Sequence, residues 1–212
     1  QELDISISGN SLNFSVFIKG KSAHVGRCFD EGRSAIVAIA RLIQLLDEGN
    51  KMEGLTVNTG KILGGEARNV VPPSASCQVN VRFGKESSEK SLRDWIDLQL
   101  KKVEEETGCL CRLENWLMRP AKPLTSQIES MFEGFQQCAS ELGMPPLSWK
   151  DTGGVCDGNI LAASGLPTID NLGVKGGEIH TEDEFMVLSS LTSQAQLLFL
   201  FFVKLALKEI QL

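Results

Sequence analysis

The stretch Ala75-Ser76-Cys77-Gln78-Val79-Asn80-Val81-Arg82-Phe83 alternates without a fault. Ala75, Cys77, Val79, Val81 and Phe83 share one face, and Ser76, Gln78, Asn80 and Arg82 share the other. A period of two with one apolar side predicts a strand of an antiparallel sheet, one face on a core and the other in water. Towards the N-terminus, Leu12 to Lys19 repeats the pattern through Leu12, Phe14, Val16 and Ile18, and Leu55 to Leu63 reads as another strand. Between these two, Ser34 to Asp47 carries Ile36, Ile39, Ala40, Ile43 and Leu46 at helical spacing, ended by Gly49-Asn50. Gly64-Gly65 and Pro72-Pro73 bracket a loop before the quoted strand. Beyond it, Leu92, Trp95, Ile96, Gln99, Leu100 and Val103 form a second helical stripe that Gly108 stops, and Cys109 to Trp116 is a fourth strand. The order β-α-β-β-α-β over residues 12–116 predicts a ferredoxin-like α/β domain, four antiparallel strands with two helices on one face.

Arg119-Pro120-Ala121-Lys122-Pro123 breaks the pattern and sets the expected boundary, with one domain over 1–117 and a second over 118–212. In the second, Ser126 and Glu129 have the spacing of a capping box ahead of a helix burying Ile128, Met131, Phe132, Phe135, Ala139 and Leu142. A short helix follows around Gly158 to Ser164, then a buried strand from Pro167 to Leu172 and a Gly- and acid-rich loop from Gly173 to Glu184. The last helix spans Leu188 to Ile210. This is α/β texture, but two or three strands make too small a sheet to stand alone, so the second half reads as part of a domain. The apolar run Leu197–Leu207, broken by Lys204, is shorter than a membrane span and reads as a buried helix.

With 212 residues, 42% hydrophobic and 23% charged, the chain is globular in composition. A net charge of −6 gives no basic face for phosphate, which argues against nucleic acid as a partner. Only two histidines are present, so a site built from several of them within this chain is excluded. The six cysteines form no CxxC pair, which argues against a zinc ribbon and suits a reduced, cytoplasmic chain. No signal peptide is visible, and the start at Gln1 rather than Met points to a processed chain or a piece of a longer one.

His24 follows a strand in Gly20-Lys21-Ser22-Ala23-His24-Val25-Gly26, among residues small enough to leave the imidazole accessible. It reads either as a surface histidine or as a proton donor and oxyanion stabiliser. His180 lies among acids in Gly176-Gly177-Glu178-Ile179-His180-Thr181-Glu182-Asp183-Glu184, a solvated loop or a metal ligand. Alone it is one donor where zinc needs three or four. Arg82 on the polar sheet face, with Asn69 in the preceding loop, is either solvated or part of a carboxylate clamp. Gly153-Gly154-Val155-Cys156-Asp157-Gly158 is a plain turn or a place where backbone approaches a ligand. Cys156 is most simply a buried thiol, since a nucleophile would need a neighbouring base.

The segments "GKSAHVG", "GRSAI", "TVNTGKILGGEARNVVP", "VNVRF", "TGGVCDGNILAASGLPTIDNLG" and "HTEDEF" occur in this order. Over residues 12–212 the chain resembles the zinc aminoacylase and carboxypeptidase metallopeptidase family. That family includes glutamate carboxypeptidase, acetylornithine deacetylase and succinyl-diaminopimelate desuccinylase, and the first of these branches is the nearest. The resemblance implies a ferredoxin-like lid, which also forms a homodimer, inserted into a two-zinc α/β catalytic domain. This chain would be the lid plus the C-terminal part of that catalytic domain. It implies His180 as a zinc ligand and His24 as the lid histidine that reaches the partner's active site. Asn69 and Arg82 would hold the substrate carboxylate, and Gly154 would line the substrate pocket. The family's other zinc ligands and its general-base Glu precede the lid and have no counterpart here; Glu2 and Asp4 are not assigned. Cys156 stands where the family usually has Ser or Thr. The implied activity is hydrolysis of an amide beside a free carboxylate, in an N-acyl amino acid or short peptide, with the fragment inactive alone. The alternative is a non-catalytic dimerisation or small-molecule-binding module.

Overall fold

The structure, a computed structural model, describes residues 4–84, 87–152 and 154–211. The chain divides into two compact units, one of residues 10–119 and one joining residues 1–9 to 120–212. The sequence boundary at 117/118 is thus close, but the N-terminal segment sits with the second unit. The reason is a strand the periodicity did not show: β1 (Asp4–Ser8) pairs in parallel with residues 148–152.

The first unit contains β2 (Asn10–Lys19), α1 (Ala35–Asp47), β3 (Leu55–Gly64), β4 (Ser74–Phe83), α2 (Glu89–Thr107) and β5 (Leu110–Arg119). The sheet order is β3-β4-β2-β5, all antiparallel, which is the expected ferredoxin-like topology. Leu12, Phe14, Val16 and Ile18 of β2 and the five apolar residues of β4 are buried in one core. The helices cover that face with Ala38, Ile39, Leu42 and Leu46 of α1 and Leu92, Ile96, Leu100 and Val103 of α2.

Local chemistry sets the ends of the helices. The Ser34 hydroxyl accepts from the Val37 N–H at 3.3 Å and caps α1. Ser88 and Ser91 exchange side-chain-to-backbone bonds of 3.0 Å at the start of α2. Gly108, at φ +66°, ends α2 in the left-handed region that glycine enters without cost. After α1 the chain makes a 3-10 turn in which the Asn50 amide takes the Val57 N–H at 2.7 Å and donates to its carbonyl at 3.0 Å.

Strand β5 runs past the expected end at Trp116, to Arg119. Asn13 lies opposite Leu117 but Ser15 lies opposite Glu114, so β5 carries one extra residue. That β-bulge, with Asn115 at φ +55°, returns Trp116 to the core side, where it stacks on Phe14 at 5.9 Å.

The second unit holds α3 (Ser126–Glu141), β6 (Ser148–Thr152), α4 (Gly158–Ala163), the two-residue strands β7 (Gly176–Gly177) and β8 (Phe185–Met186), and α5 (Leu188–Ala206). Its core joins Phe135, Cys138 and Ala139 of α3 to Leu197 and Phe201 of α5, with the Phe135 and Phe201 rings stacked at 3.9 Å.

Three expectations are corrected in this unit. Thr125, not Ser126, caps α3, its hydroxyl accepting from the Ile128 N–H at 3.3 Å, so no Ser126–Glu129 box forms. The run 167–172 is irregular, half-buried except for Asn171, and joins no described ladder; the strand is 148–152, paired with β1. The last helix ends at Ala206 and is not buried all round. One stripe packs inward, while Phe199 and Phe202 are 72% and 60% exposed. By length and composition α5 could cross a membrane, yet its inner stripe belongs to the core and Lys204 is tied to Glu141 at 2.8 Å.

Gly49 has no room for a side chain: a Cβ there would lie 2.8 Å from the Trp95 ring and 2.9 Å from Val57. Gly49→Ala is expected to destabilise the first unit by about 1–3 kcal/mol through overpacking. Equilibrium urea unfolding reads this as a lower midpoint at unchanged slope, and an unmoved midpoint would refute it.

Candidate functional site

The first unit carries three of the five candidate residues, at two separate places. His24 lies in the loop after β2, and backbone bonds tie that loop to the loop before β4. The Val25 N–H donates to the Asn69 carbonyl at 3.1 Å and the Val71 N–H to the Ala23 carbonyl at 2.9 Å. His24 is bridged to Val70. His24 and Asn69 are therefore neighbours, both exposed at one end of the sheet. The Gly26 N–H donates to His24 Nδ1 at 3.1 Å. In the neutral ring that assigns the proton to Nε2 and makes Nε2–H a donor on an exposed imidazole.

Arg82 lies elsewhere. It is near the far end of β4, eight residues from Ser74. At strand rise that is about 27 Å, well beyond the reach of an arginine side chain. One chain does not bring Asn69 and Arg82 together as a clamp. Arg82 is instead part of a polar network on the open sheet face. Its Nε donates to Asn80 Oδ1 at 2.9 Å, and Asn80 Nδ2 donates to Asn13 Oδ1 at 2.8 Å and to the Ser11 hydroxyl at 3.3 Å. The pairing of β2 puts both Arg82 and Arg119 opposite Ser11. Burial and the neighbouring Arg119 charge lower the Arg82 pKa. Towards the middle of the same face lies an open concavity of about 830 Å³ lined by Asn13, Ser15, Asn58, Gln78, Asn80 and Asn115.

The second unit carries His180 and Gly154. His180 sits at the tip of the β7–β8 hairpin, exposed, with φ +69°. The hairpin explains the two glycines before it. A Cβ on Gly176 would lie 2.4 Å from the Phe185 carbonyl oxygen, and one on Gly177 2.8 Å from the Phe185 ring. The His180 N–H donates to Glu184 Oε2 at 3.2 Å, and Glu178 also has positive φ, at +54°. Two non-glycine residues held in the left-handed region mark a backbone shaped for presentation. No group of three or more metal-ligating side chains occurs among the described residues. His180 is a single donor, so the described residues do not fit a zinc centre by themselves. Gly154 is exposed in the coil before α4; Gly153 of the same motif and Glu2 lie outside the described residues. All six cysteines are free thiols, and burial pushes Cys77 up to about 11 and Cys111 up to about 12.

The structure joins Cys156 to Lys122, Asn159 and Asp170, which belong to none of the candidate sites above. A signal was present: Lys122 stands between two prolines and Asp170 interrupts an apolar run.

Comparison with known proteins agrees with the fold. A succinyl-diaminopimelate desuccinylase of Roseobacter denitrificans is 30% identical over 151 residues, 66% of this chain and 36% of that protein. Carboxypeptidase G2 of a Pseudomonas species is 23% identical over 197 residues, 90% of this chain and 46% of that protein. The crystal structure of a Staphylococcus aureus tripeptidase superposes with a TM-score of 0.73 at 25% identity, covering 95% of this chain and 54% of its own. The chain spans about half the length, or less, of these relatives. The model of the peptidase dimerisation domain matches residues 8–108, which hold three of the four strands of the ferredoxin-like sheet, both of its helices, His24, Asn69 and Arg82. Residues 8–108 are thus similar to the peptidase dimerisation domain.

Proposed function

We propose that the chain is the dimerisation domain and C-terminal part of a homodimeric M20 hydrolase that cleaves an amide next to a free carboxylate. The substrate is an N-acyl amino acid or a short peptide, and the 212-residue chain alone is inactive. The observation that carries this reading is the length of β4 between the His24–Asn69 end and Arg82. One chain cannot set these groups on one small substrate, but a two-fold partner presents the opposite end of its own sheet. Arg82 then grips the carboxylate of a substrate in its own subunit. His24 and Asn69 reach the partner's substrate, with the His24 Nε2–H donating to the oxygen that becomes negative as the amide is attacked.

The surface that supports dimerisation is at the β3 edge. Ile62 and Leu63 near its end are exposed, and so are Ile36 and Val37 of α1. Gly65, just after β3, comes so close to Ile36 that a Cβ would lie 2.9 Å from its δ-methyl. An open strand beside an apolar helix face suits pairing with a second copy. The exposed side of α5 and the two-stranded β1–β6 sheet support the other half of the reading, that the second unit is completed by further chain. The two zinc ions implied by the family likeness would need donors beyond this chain, so no step is assigned to them here.

Light scattering on the chain should give a dimer that Val37→Glu with Leu63→Asp converts to monomer; an unchanged dimer would move the interface elsewhere. Calorimetry with zinc should show no tight stoichiometric binding, and a nanomolar site lost in His180→Ala would reveal ligands missed within the chain. In the full-length enzyme, His24→Ala should lower kcat on the order of 10²–10³-fold, while Arg82→Ala mainly raises KM. Mixing His24→Ala with His180→Ala should restore up to about half the activity per heterodimer, because two-fold symmetry leaves one site intact. Asn69→Ala should behave as His24→Ala does and Arg82→Ala as His180→Ala. Subunit exchange without recovery would place His24 on its own subunit's substrate.

A further inference from the structure

The second unit contains a polar circuit that the functional reading above leaves unused. Lys122, ahead of α3, is only 2% exposed, an ammonium taken out of water that must be paired. Its Nζ is bound to Asp170 Oδ2, in the irregular run after α4. The same oxygen accepts the Cys156 thiol proton at 2.8 Å. The Cys156 N–H donates to Asn159 Oδ1 at 3.0 Å. Asn159, fully buried, donates from Nδ2 to the Pro120 carbonyl at 2.7 Å. Pro120 is two residues from Lys122, so the circuit closes. It ties together three segments, around residues 121, 157 and 170. Gly158 seats the start of α4 directly on the third: a Cβ there would lie 3.0 Å from the Thr168 methyl and 3.1 Å from Cys156 Sγ.

A buried ion pair is weak evidence for stability, because well-packed apolar residues usually do as well. Its distinctive property is direction. Asp170 receives donors from two separate segments at one oxygen, and that is met only when the Cys156 loop is in one place. Burial, and then the Asp170 carboxylate, push the Cys156 thiol up. The thiol stays protonated and serves as a donor, as a hydroxyl would, rather than as a nucleophile.

We propose that Asp170 is the positioning residue of the loop that carries Gly154, holding it through the Cys156 thiol and itself held by the buried Lys122 ammonium. Cys156 is two residues from Gly154, so fixing one limits where the other can be. The functional meaning of this anchor rests on the reading of Gly154 as part of the substrate pocket, but the anchor itself can be tested without substrate.

The first measurement is amide hydrogen exchange of residues 154–160 in the whole chain. Cys156→Ser keeps an O–H donor and should exchange within about twofold of the parent. Cys156→Ala removes the donor and should exchange about tenfold faster, the scale of one charge-assisted hydrogen bond. Equal rates for Ser and Ala would overturn the proposal. The second uses Lys122→Met with Asp170→Leu, an apolar replacement of the pair that preserves packing. Circular dichroism should show a folded protein. Cys156 should then react with iodoacetamide about tenfold faster, measured by mass spectrometry against Cys28 in the same chain. A folded double variant with Cys156 as protected as before would show that the pair is only structural. In the full-length enzyme, Cys156→Ala should raise KM while kcat holds. Faster exchange with unchanged KM would remove Gly154 from the substrate pocket and leave the anchor standing.

Discussion

Strand β2 is hydrogen-bonded on both sides, to β4 and to β5, and the rest of the first unit depends on that double ladder. A sheet side chain can face only up or down, so the register of β2 decides the face of every residue on its neighbours. With Val16 opposite Cys77 and Leu113, the apolar sets of three strands fall on the side that α1 and α2 cover. The same register aligns Ser11 with Arg82 and Arg119 and Asn13 with Asn80 on the open side. A slip of one residue would turn the guanidiniums into the core and the valines into water.

The polar face is thus the necessary back of the hydrophobic core, and the candidate residues are fixed in two ways. Arg82 is held by the ladder itself, with its Nε fixed on Asn80. His24 and Asn69 are held by loops at the other end that are tied to each other by backbone bonds. A strand of ten residues separates these two ends, and on the proposed reading a two-fold partner, rather than a flexible loop, unites them.

The second unit follows a different logic. Its two sheets have two strands each, and its order comes from the apolar core between α3 and α5, with Phe135 stacked on Phe201, and from buried polar bonds such as the circuit through Asp170. Buried polar groups must find partners, and satisfying them fixes loops that apolar contacts would leave free to slide. Cys156 illustrates this: a residue type associated with reactivity is here a hydrogen-bond donor, because the half-buried thiol faces the Asp170 carboxylate.

The amino-acid sequence by itself determined the ferredoxin-like unit, because period-two strands and helical stripes are local signals that survive without knowledge of their partners. It also singled out His24 and His180, beside small or glycine residues, and Arg82 on the polar side of an alternating strand. Tertiary structure alone decided what depends on pairing across distance. Asp4–Ser8 is a strand because Ser148–Thr152 lies beside it, while the more apolar run 167–172 joins no described ladder. Trp116 faces the core only because a bulge opposite Phe14 inserts a residue. Asn69 is close to His24 and far from Arg82 because a strand of ten residues is stiff and straight, a distance that spacing along the chain does not reveal.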